Sequence, residues 1–575
     1  MMNNRELAET FTLIGDLLEI KGEIIYKTLA YRKAAENLSG LGREASEYWK
    51  EGKLEDIPGV GKAIAEKIDE LLRTGQLEFL ERLKAEVPEG LAGWLKVPGL
   101  GPKKVAMIWK ELGITTLPEL ELAAREGKLR GLPGMGEKSE TAILEGLASL
   151  GRRSGRIPLG RAYPLAQEII LGLKKIKGVV EAQPVGSLRR MRSTVGDLDI
   201  LVAANESAPV MEAFTRLPGV NRVLGKGETK SSIEFHDGVR AQVWVHPPER
   251  FGTALQYATG SKEHSVRLRE MALAKGLSLS EHALTRTDGS GEILCATEEE
   301  VYGALGLPWI PPELREDRGE IQAAMAHKLP KLIEVKDIHA DLQTHSNFSD
   351  GKLSVLEMAR AAARRGIKVI AFTDHSVSLG VTGGLSMDRH ADQHKEIEKA
   401  QQEIGESIRI LHASEVEIRA DGALDYPDEF LATLDLVLAS LHTSLRQPRE
   451  KVTRRVISAI RNPHVDIIGH PTGRLIPDRE GADLDMEAVF EAARESGVAL
   501  EINASPFRLD LDDAHARRAK DMGIPLSINT DSHSEADFDM LPYGVAIARR
   551  AWVEAQDVIN TWPPDKLLGW LKKRV

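Results

Sequence analysis

Cysteine occurs once in 575 residues, at Cys295. One thiol can close no disulfide within the chain and build no cysteine-based zinc ribbon, so a reducing, cytoplasmic setting is expected. No apolar run is long enough to span a membrane, and neither a signal-peptide pattern nor a low-complexity tract is present; a membrane partner is not expected. An overall excess of positive charge is also missing, since the formal net charge is −11. The deficit is uneven. Through Lys336 the chain holds 47 basic and 48 acidic residues, whereas the remainder holds 29 and 39. The acidity therefore belongs to the last 240 or so positions. Between Arg152 and Arg192 ten basic residues face only Glu168 and Glu181, a local positive stretch suited to phosphates. The length implies several domains, and 42% hydrophobic residues suffice for packed cores.

The C-terminal portion carries eight metal-ligand residues, each beside an apolar run that ends in a loop. They are His345 and Asp350 in DLQTHSNFSDG, His375 in VIAFTDHS, Glu415 in LHASEVEI, His442 in LVLASLHTS, His470 in VDIIGHP, and Asp531 with His533 in LSINTDSH. Short β-type runs alternate with helical stretches, the repeat of a barrel with parallel strands. In such a barrel the strand C-termini share one rim, so residues distant in sequence meet in one pocket. Imidazole with carboxylate suits Zn²⁺, Mn²⁺ or Fe²⁺, and eight ligands are too many for one ion; two or three metals are expected, placed to activate water against phosphorus. The pattern resembles the polymerase and histidinol phosphatase (PHP) domain over roughly residues 337–575. Where that family usually has His-x-His, the first position here is Gln343, which implies fewer protein ligands for one metal.

A second segment, GSLRRMRSTVGDLDILV at 186–202, alternates Asp197 and Asp199 with Leu198 and Ile200. In a strand both carboxylates then project from one face, spaced to share divalent ions on nucleotide phosphates. Gly186 and Ser187 allow a backbone to approach a phosphate, and Arg189 or Arg190 supplies charge. The segment resembles the nucleotidyltransferase palm of family X DNA polymerases, the group of DNA polymerase beta, and the likeness runs from residue 1 to about 320. That resemblance implies that Gly186, Ser187 and Arg190 hold an incoming deoxynucleoside triphosphate and that Asp197 and Asp199 bind the catalytic ions, Mg²⁺ or Mn²⁺. It also implies that Tyr257, Gly260 and Lys262 line the nucleotide pocket, with Ser265 and Arg269 towards base and template. The family's third aspartate, in an Asp-x-Arg pattern, aligns with Gln242, and its arginine with Trp244. Glutamine offers a metal no charge and takes no proton from a primer hydroxyl, so weakened polymerisation is expected, unless a neighbour such as Glu234 substitutes.

Three N-terminal copies of hydrophobic-Pro-Gly-hydrophobic-Gly precede helices: IPGVG at 57–61, VPGLG at 97–101 and LPGMG at 132–136. Gly59, Gly61, Gly99, Gly101, Gly134 and Gly136 permit tight hairpins whose amides, backed by a helix N-terminus, can bind phosphates. This is the helix-hairpin-helix pattern, which grips a DNA backbone irrespective of sequence. By family resemblance Lys67 matches a lyase nucleophile and Lys27 a supporting phosphate contact; an exposed helix lysine is the competing reading.

The sequence thus predicts a multidomain α/β protein. Residues 1–88 form a helical lyase-like domain, 89–151 the fingers, 152–252 the palm, 253–317 the thumb and 337–575 the PHP barrel. Glu313–Lys336 reads as a charged helical connector that lets the halves move relative to one another. The expected function is DNA repair by a monomer acting on gapped or nicked DNA, with nucleotide addition and metal-dependent 3′-5′ exonuclease activity using Mn²⁺ or Zn²⁺. The alternatives are a PHP phosphomonoesterase and a DNA-binding scaffold with an inactive polymerase half.

Overall fold

A computed structural model describes residues 2–39, 41, 43–97, 100–150 and 156–572. Gly99 lies outside the described residues. The chain divides into two compact units, Met1–Gly155 and Arg156–Val575. Among the described residues no helix is long and apolar enough to cross a membrane.

The first unit is helical. Its helix Lys62–Thr74 buries Ile64, Ala65, Ile68, Leu71 and Leu72, the 3.6-residue stripe of a core-facing helix, and stops at Gly75 in the left-handed region. Helix Pro102–Leu112 opens on proline and ends at Gly113 in the same way. The repeats fold alike: the amides of Val60, Leu100 and Met135 donate to the carbonyls of Ile57, Val97 and Leu132 at 3.0, 3.1 and 3.0 Å. Gly59 and Gly134 take φ of 74° and 71°, which asks for glycine. Gly61 and Gly101 sit at φ −86°. A Cβ at Gly61, Gly101 or Gly136 would meet nothing within 4 Å. Folding therefore makes no demand for glycine at these last positions; their smallness keeps the hairpin surface open.

The second unit starts with a five-stranded sheet of β1 (Val179–Pro184), β2 (Leu198–Ala204), β3 (Val220–Lys226), β4 (Lys230–Phe235) and β5 (Arg240–His246). Its order is β1-β2-β5-β4-β3, antiparallel except for the central β2–β5 pair. A smaller helical segment with a three-stranded antiparallel sheet follows, from Phe251 to about Leu314. Seven parallel strands then run in chain order: β6 (Ala340–Thr344), β7 (Val369–Phe372), β8 (Arg409–Glu417), β9 (Leu436–Ser440), β10 (Ile467–Gly469), β11 (Ala499–Asn503) and β12 (Leu526–Asn529). β6 and β12 close the ring: Asp531 donates its amide to the Gln343 carbonyl at 3.1 Å and His345 to Ser532 at 2.8 Å. Helices between strands cover the outside, as a parallel sheet with near-continuous apolar strands requires.

The charged segment expected as a mobile connector is instead packed. Its one α-helix among the described residues is Glu320–Met325, with short 3-10 turns at either end, and Ile321, Ala324, Leu332 and Ile333 are buried. Several of its acids are paired rather than solvated, though Glu334 stays exposed. Glu316 receives Arg550 at 2.9 Å, Glu313 receives Arg549 at 2.7 Å, and Glu320 contacts buried His264 at 2.6 Å. One continuous apolar core includes Leu198, Val202 and Phe214 of the palm together with Phe372, Val489 and Val545 of the barrel. Tyr163 meets Tyr543 edge-on at 6.1 Å, and a Cβ at Gly160 would strike Pro506 at 2.5 Å.

Candidate functional site

Six of the seven barrel strands bring one or more of the predicted metal ligands to or near their C-terminal ends, where pleated apolar backbone gives way to loop. His345 follows β6, His375 follows β7, His442 follows β9 and His470 follows β10, while Glu415 lies near the end of β8 and Asp531 and His533 just after β12. Asp350 comes from the loop after β6. Buried Glu415 is the hub: its Oε1 lies 2.8 Å from His470 Nε2 and 3.2 Å from His442 Nε2, its Oε2 3.2 Å from His375 Nδ1 and 3.5 Å from His345 Nε2. Asp531 Oδ1 stands 3.1 Å from His345 Nε2, and Asp350 reaches His533 Nε2 at 3.3 Å and His375 Nε2 at 3.5 Å. All eight residues thus meet. Seven of them form three overlapping groups that could each hold an ion, His345, Asp350, His375 and His533; His375, Glu415 and His442; and His345, Glu415 and Asp531, while His470 joins through Glu415.

The donor set fits metal ions. His345 Nδ1, His375 Nδ1, His442 Nε2, His470 Nδ1 and Glu415 Oε2 are buried without a hydrogen-bond partner, a cost that coordination removes. His470 and Asp531 hold φ of 26° and 57°, strain of the kind that accumulates at functional positions. Electrostatics point the same way. Burial opposes ionisation of Glu415, but His442 and His375 hold it well below the usual carboxylate range. Burial likewise opposes the charge on His442, which Glu415 and then Glu417 push up to about 9. Cations are wanted here, and metal ions would release those protons.

Four supporting residues gave no signal in the sequence, because their partners are 20 or more positions away. Glu417 accepts from His442 Nδ1 at 2.9 Å and orients the ring. Asp374 gathers the amides of Ser346 and Ser349 at 2.9 and 3.1 Å, which shapes the loop to Asp350. Asp510 accepts from the amides of Thr472 and Gly473 at 3.0 and 2.9 Å, just after His470. Arg508 brings a guanidinium to 3.5 Å from Asp531 Oδ2. Gln343 is buried between Glu501 and Asn503; with its amide turned, its nitrogen donates to Glu501 Oε2 at 2.9 Å. The position thus holds a neutral amide buttressing a buried acid.

In the palm, Asp199 lies on β2 and Asp197 just before it. Gly186 has φ of 62°, and a Cβ there would come within 2.9 Å of Asp199 Oδ2, so glycine is required for both reasons. Burial first, and then Asp197, push the Asp199 carboxyl up to about 7, with Lys230 opposing. Its Oδ1 is buried and unpartnered, again a donor that suits a cation. Gln242 is in register with Asp199 on the neighbouring strand and donates Nε2 to Asp197 Oδ2 at 2.8 Å. Glu234 does not replace the missing carboxylate; it is buried and paired with Arg222 and Arg240, each at 3.2 Å. Trp244 carries Lys230 over its ring at 4.7 Å.

Arg190 donates to the Thr259 carbonyl at 2.6 Å and to Glu316 at 3.1 Å, beside Gly260, whose φ is 68°. Ser187 lies in the short helix Gly186–Arg189 between these groups. Arg189 is spent elsewhere, forked onto buried Glu298 at 2.8 Å through both nitrogens, with Arg315 as second partner. Tyr257 is exposed near the end of helix Phe251–Thr259, and Lys262 opens helix Lys262–Ala274. On that helix Ser265 is buried, whereas Arg269 donates to the Ser265 carbonyl at 3.3 Å. In the first unit Lys67 and Lys27 stand over the same Phe79 ring, at 5.0 and 5.8 Å. Lys67 Nζ also donates to the Ala63 carbonyl at 3.0 Å.

Family models match four stretches: a helix-hairpin-helix domain at 2–77, a SAM-like helix-hairpin-helix tandem at 94–149, a DNA polymerase beta thumb at 254–316 and a PHP domain at 341–505. A probable phosphatase of Thermoanaerobacter sp. (strain X514) is 31% identical over 245 residues, 41% of this chain and 94% of its own. DNA polymerase lambda of Rattus norvegicus is 27% identical over 341 residues, 54% of this chain and 56% of its own. The DNA polymerase/3′-5′ exonuclease PolX of Bacillus subtilis (strain 168) is 39% identical over 575 residues, the full length of both chains. Matched from end to end by that relative, and carrying hairpins, thumb and PHP barrel in the same chain, the protein belongs to the PolX family of DNA polymerase/3′-5′ exonucleases.

Proposed function

We propose that the chain is a DNA repair enzyme with two activities: family X nucleotide addition in the palm and metal-dependent 3′-5′ hydrolysis in the barrel. The observation that carries the reading is the convergence of four histidines on Glu415, with Asp350, Asp531 and His533 beside them, in a chain that also presents three hairpins. Mn²⁺ or Zn²⁺ bound there would activate water and stabilise a leaving oxygen on phosphorus. The residues divide the remaining work. His345, Asp350, His375, Glu415, His442, His470, Asp531 and His533 hold the ions, Glu417 fixes His442, and Arg508 offers a cation beside Asp531 for a phosphate oxygen.

In the palm, Asp197 and Asp199 would hold Mg²⁺ or Mn²⁺, and Gly186, Ser187, Arg190, Tyr257, Gly260 and Lys262 would seat the deoxynucleoside triphosphate. An incoming triphosphate competes with Glu316 for Arg190. Gln242 caps Asp197 through its amide and can accept no proton from a primer hydroxyl, so addition is slow relative to a site with three carboxylates. The hairpins around Gly61, Gly101 and Gly136, with Gly59, Gly99 and Gly134, hold the backbone of gapped or nicked DNA. Lys67, with Lys27 beside it, is the residue for a lyase step on an abasic sugar. The protein works as a monomer in the cytoplasm.

One experiment tests the whole: full-length protein with end-labelled, gapped DNA and Mn²⁺, with and without nucleotides. Shortening from the 3′ end without nucleotides, and gap filling with them, are expected. The match to probable phosphatases over the barrel favours a second reading, hydrolysis of a small phosphate monoester. Turnover of such an ester with no loss of the 3′ label would establish it and remove the nuclease.

A further inference from the structure

Of the eleven phenylalanines, Phe507 alone is exposed, at 58%. A single exposed aromatic is ordinary, so its setting decides its meaning. Phe507 belongs to residues 505–510, the loop that follows β11 on the barrel rim. The next residue is Arg508, whose side chain is 16% exposed and turns inward until its guanidinium stands 3.5 Å from Asp531 Oδ2. Arg508 Nη1 is buried without a hydrogen-bond partner.

The loop that presents the ring is fixed from several sides. The Phe507 carbonyl accepts from the Ile476 amide at 2.6 Å, and Arg474 donates to the carbonyls of Arg508, at 2.8 Å, and of Leu509. The amides of Arg508 and Leu509 turn back to the Ser505 carbonyl at 2.8 and 2.9 Å. Leu509 takes φ of 47°, a strained conformation for leucine that persists only where its surroundings dictate it. Pro506 is buried against Gly160 of the palm. A backbone held this firmly keeps an uncovered ring in one place.

Arginines gather on the same sector of the rim. Arg446 follows β9, Arg474 and Arg479 follow β10, and Arg508 follows β11, the strands that lead to His442 and His470 and run beside the one that leads to Asp531. Burial, and then the neighbouring charges of Arg508 and Arg446, hold the Arg479 guanidinium below the usual arginine range. Cations so close repel one another, and an anion that joins them relieves the repulsion. Their half of the chain is otherwise the acidic one.

We propose that Phe507 is the platform on which the base of the 3′-terminal nucleotide stacks, with Arg508 on the phosphate of that nucleotide and Arg479 and Arg446 on the phosphates before it. The proposal rests on the nuclease reading above and names what separates a DNA end from a small phosphate ester. A small ester uses the metal cluster and Arg508. A DNA strand also uses an aromatic face for its base and a run of cations for its backbone. Consecutive residues lie about 3.8 Å apart along a chain, so ring and guanidinium are spaced on the scale of one nucleotide. Every base has a stacking face, and the platform is therefore indifferent to sequence.

The test uses full-length protein in Mn²⁺ with two single-stranded oligonucleotides, one with an ordinary 3′-terminal nucleotide and one ending in an abasic tetrahydrofuran residue. The parent should show a KM lower by about fivefold or more for the base-bearing end. Phe507→Ala should erase that preference by raising KM for the base-bearing end alone, with kcat within about twofold of the parent. Phe507→Trp should restore it. In EDTA, where hydrolysis is off, a 3′-terminal 2-aminopurine should be quenched by the parent and by Phe507→Trp but not by Phe507→Ala. Arg446→Ala should weaken both oligonucleotides alike and lessen the dependence of KM on salt. A preference in Phe507→Ala equal to the parent's would overturn the proposal. So would a KM raised equally for both ends, because the ring would then act through the shape of the loop. A parent that digests both ends with one KM removes the platform and leaves the nuclease standing, whereas a parent that releases no 3′ nucleotide removes both.

Discussion

Replacing Gln242 with aspartate reverses one interaction and creates another. In the parent, the amide donates to Asp197 Oδ2 at 2.8 Å, a hydrogen bond to a charged group that contributes about 1.5–3 kcal/mol. Aspartate removes the donor and places a third carboxylate beside Asp197 and Asp199. Two unit charges about 4 Å apart, at an effective dielectric near 20, repel by about 4 kcal/mol, and proton uptake relieves part of this. Asp199 is already pushed up to about 7 by burial and by Asp197, so the crowding has little slack. The metal-free variant should therefore be less stable than the parent by about 2–4 kcal/mol at pH 8. A divalent ion inverts the balance, because the repulsion becomes ligand charge. Thermal unfolding in EDTA and in Mn²⁺ measures both halves of the argument: a lower midpoint without metal and a larger metal-induced rise. On a one-nucleotide gap, single-turnover incorporation should increase on the order of a hundredfold if general-base and metal contacts are both regained. A variant as stable as the parent in EDTA would refute the geometry. One that incorporates no faster, with its fold intact, would refute the role given to position 242.

Alanine at His375 or Asp531 should abolish 3′-end hydrolysis in Mn²⁺ while a gel-shift assay shows DNA affinity within a few-fold of the parent. Gly101→Val and Gly136→Val, at positions where an added Cβ meets nothing within 4 Å, should leave unfolding within about 1 kcal/mol and weaken binding to duplexes of any sequence. A steep loss of affinity with salt should accompany the parent's binding, and the two variants should fall below it throughout. Burial opposes the charge on Glu298, but Arg315 and Arg189 hold its carboxyl well below the usual range. A depressed carboxylate contributes stability above the unfolded-state value near 4.3 that is lost as pH falls below it. Glu298→Gln should therefore cost about 3–5 kcal/mol at neutral pH, by leaving buried Arg315 short of a charge. Its denaturant midpoint should change less between pH 5 and pH 3 than the parent's does.

The meeting of His345, His375, His442, His470 and Asp531 was legible because each lies at or just past the end of an apolar strand, and one barrel rim collects strand ends whatever the loop lengths. Gln242 was legible only through family resemblance, as the position of the Asp-x-Arg aspartate; its register with Asp199 on the neighbouring strand comes from the structure. Glu417 is two residues from Glu415 on the same strand, yet its service to His442 depends on the neighbouring strand. Arg508 comes from an irregular loop, and no period or motif directs it to Asp531. The charged segment after Glu313 misled for a physical reason. Its charges read as a helical connector between mobile halves, but Arg549, Arg550 and His264 wait for three of its acids in distant stretches of the chain. Arg189, read as one of two phosphate cations, is held by Glu298, more than a hundred positions on. Local pattern reports which side chains a backbone segment will bury; it is silent about long-range charge partners.

Arg550 has a bearing on how this protein can be taken apart. Its guanidinium, 1% exposed, donates to Glu316 at 2.9 Å, to Asp513 at 2.8 Å and to the Arg190 carbonyl at 2.7 Å. Three stretches of chain, around Arg190, Glu316 and Asp513, therefore meet on one side chain at the end of helix Leu541–Arg550. A cloning boundary drawn at residue 337 would cut through that junction, strand an arginine among lost partners and lay bare apolar surface around Tyr543 and Pro506. The nuclease is consequently not a detachable cassette, and an excised barrel that aggregates would say nothing about its chemistry. Single-residue knockouts in the intact chain are the means of separating the two activities.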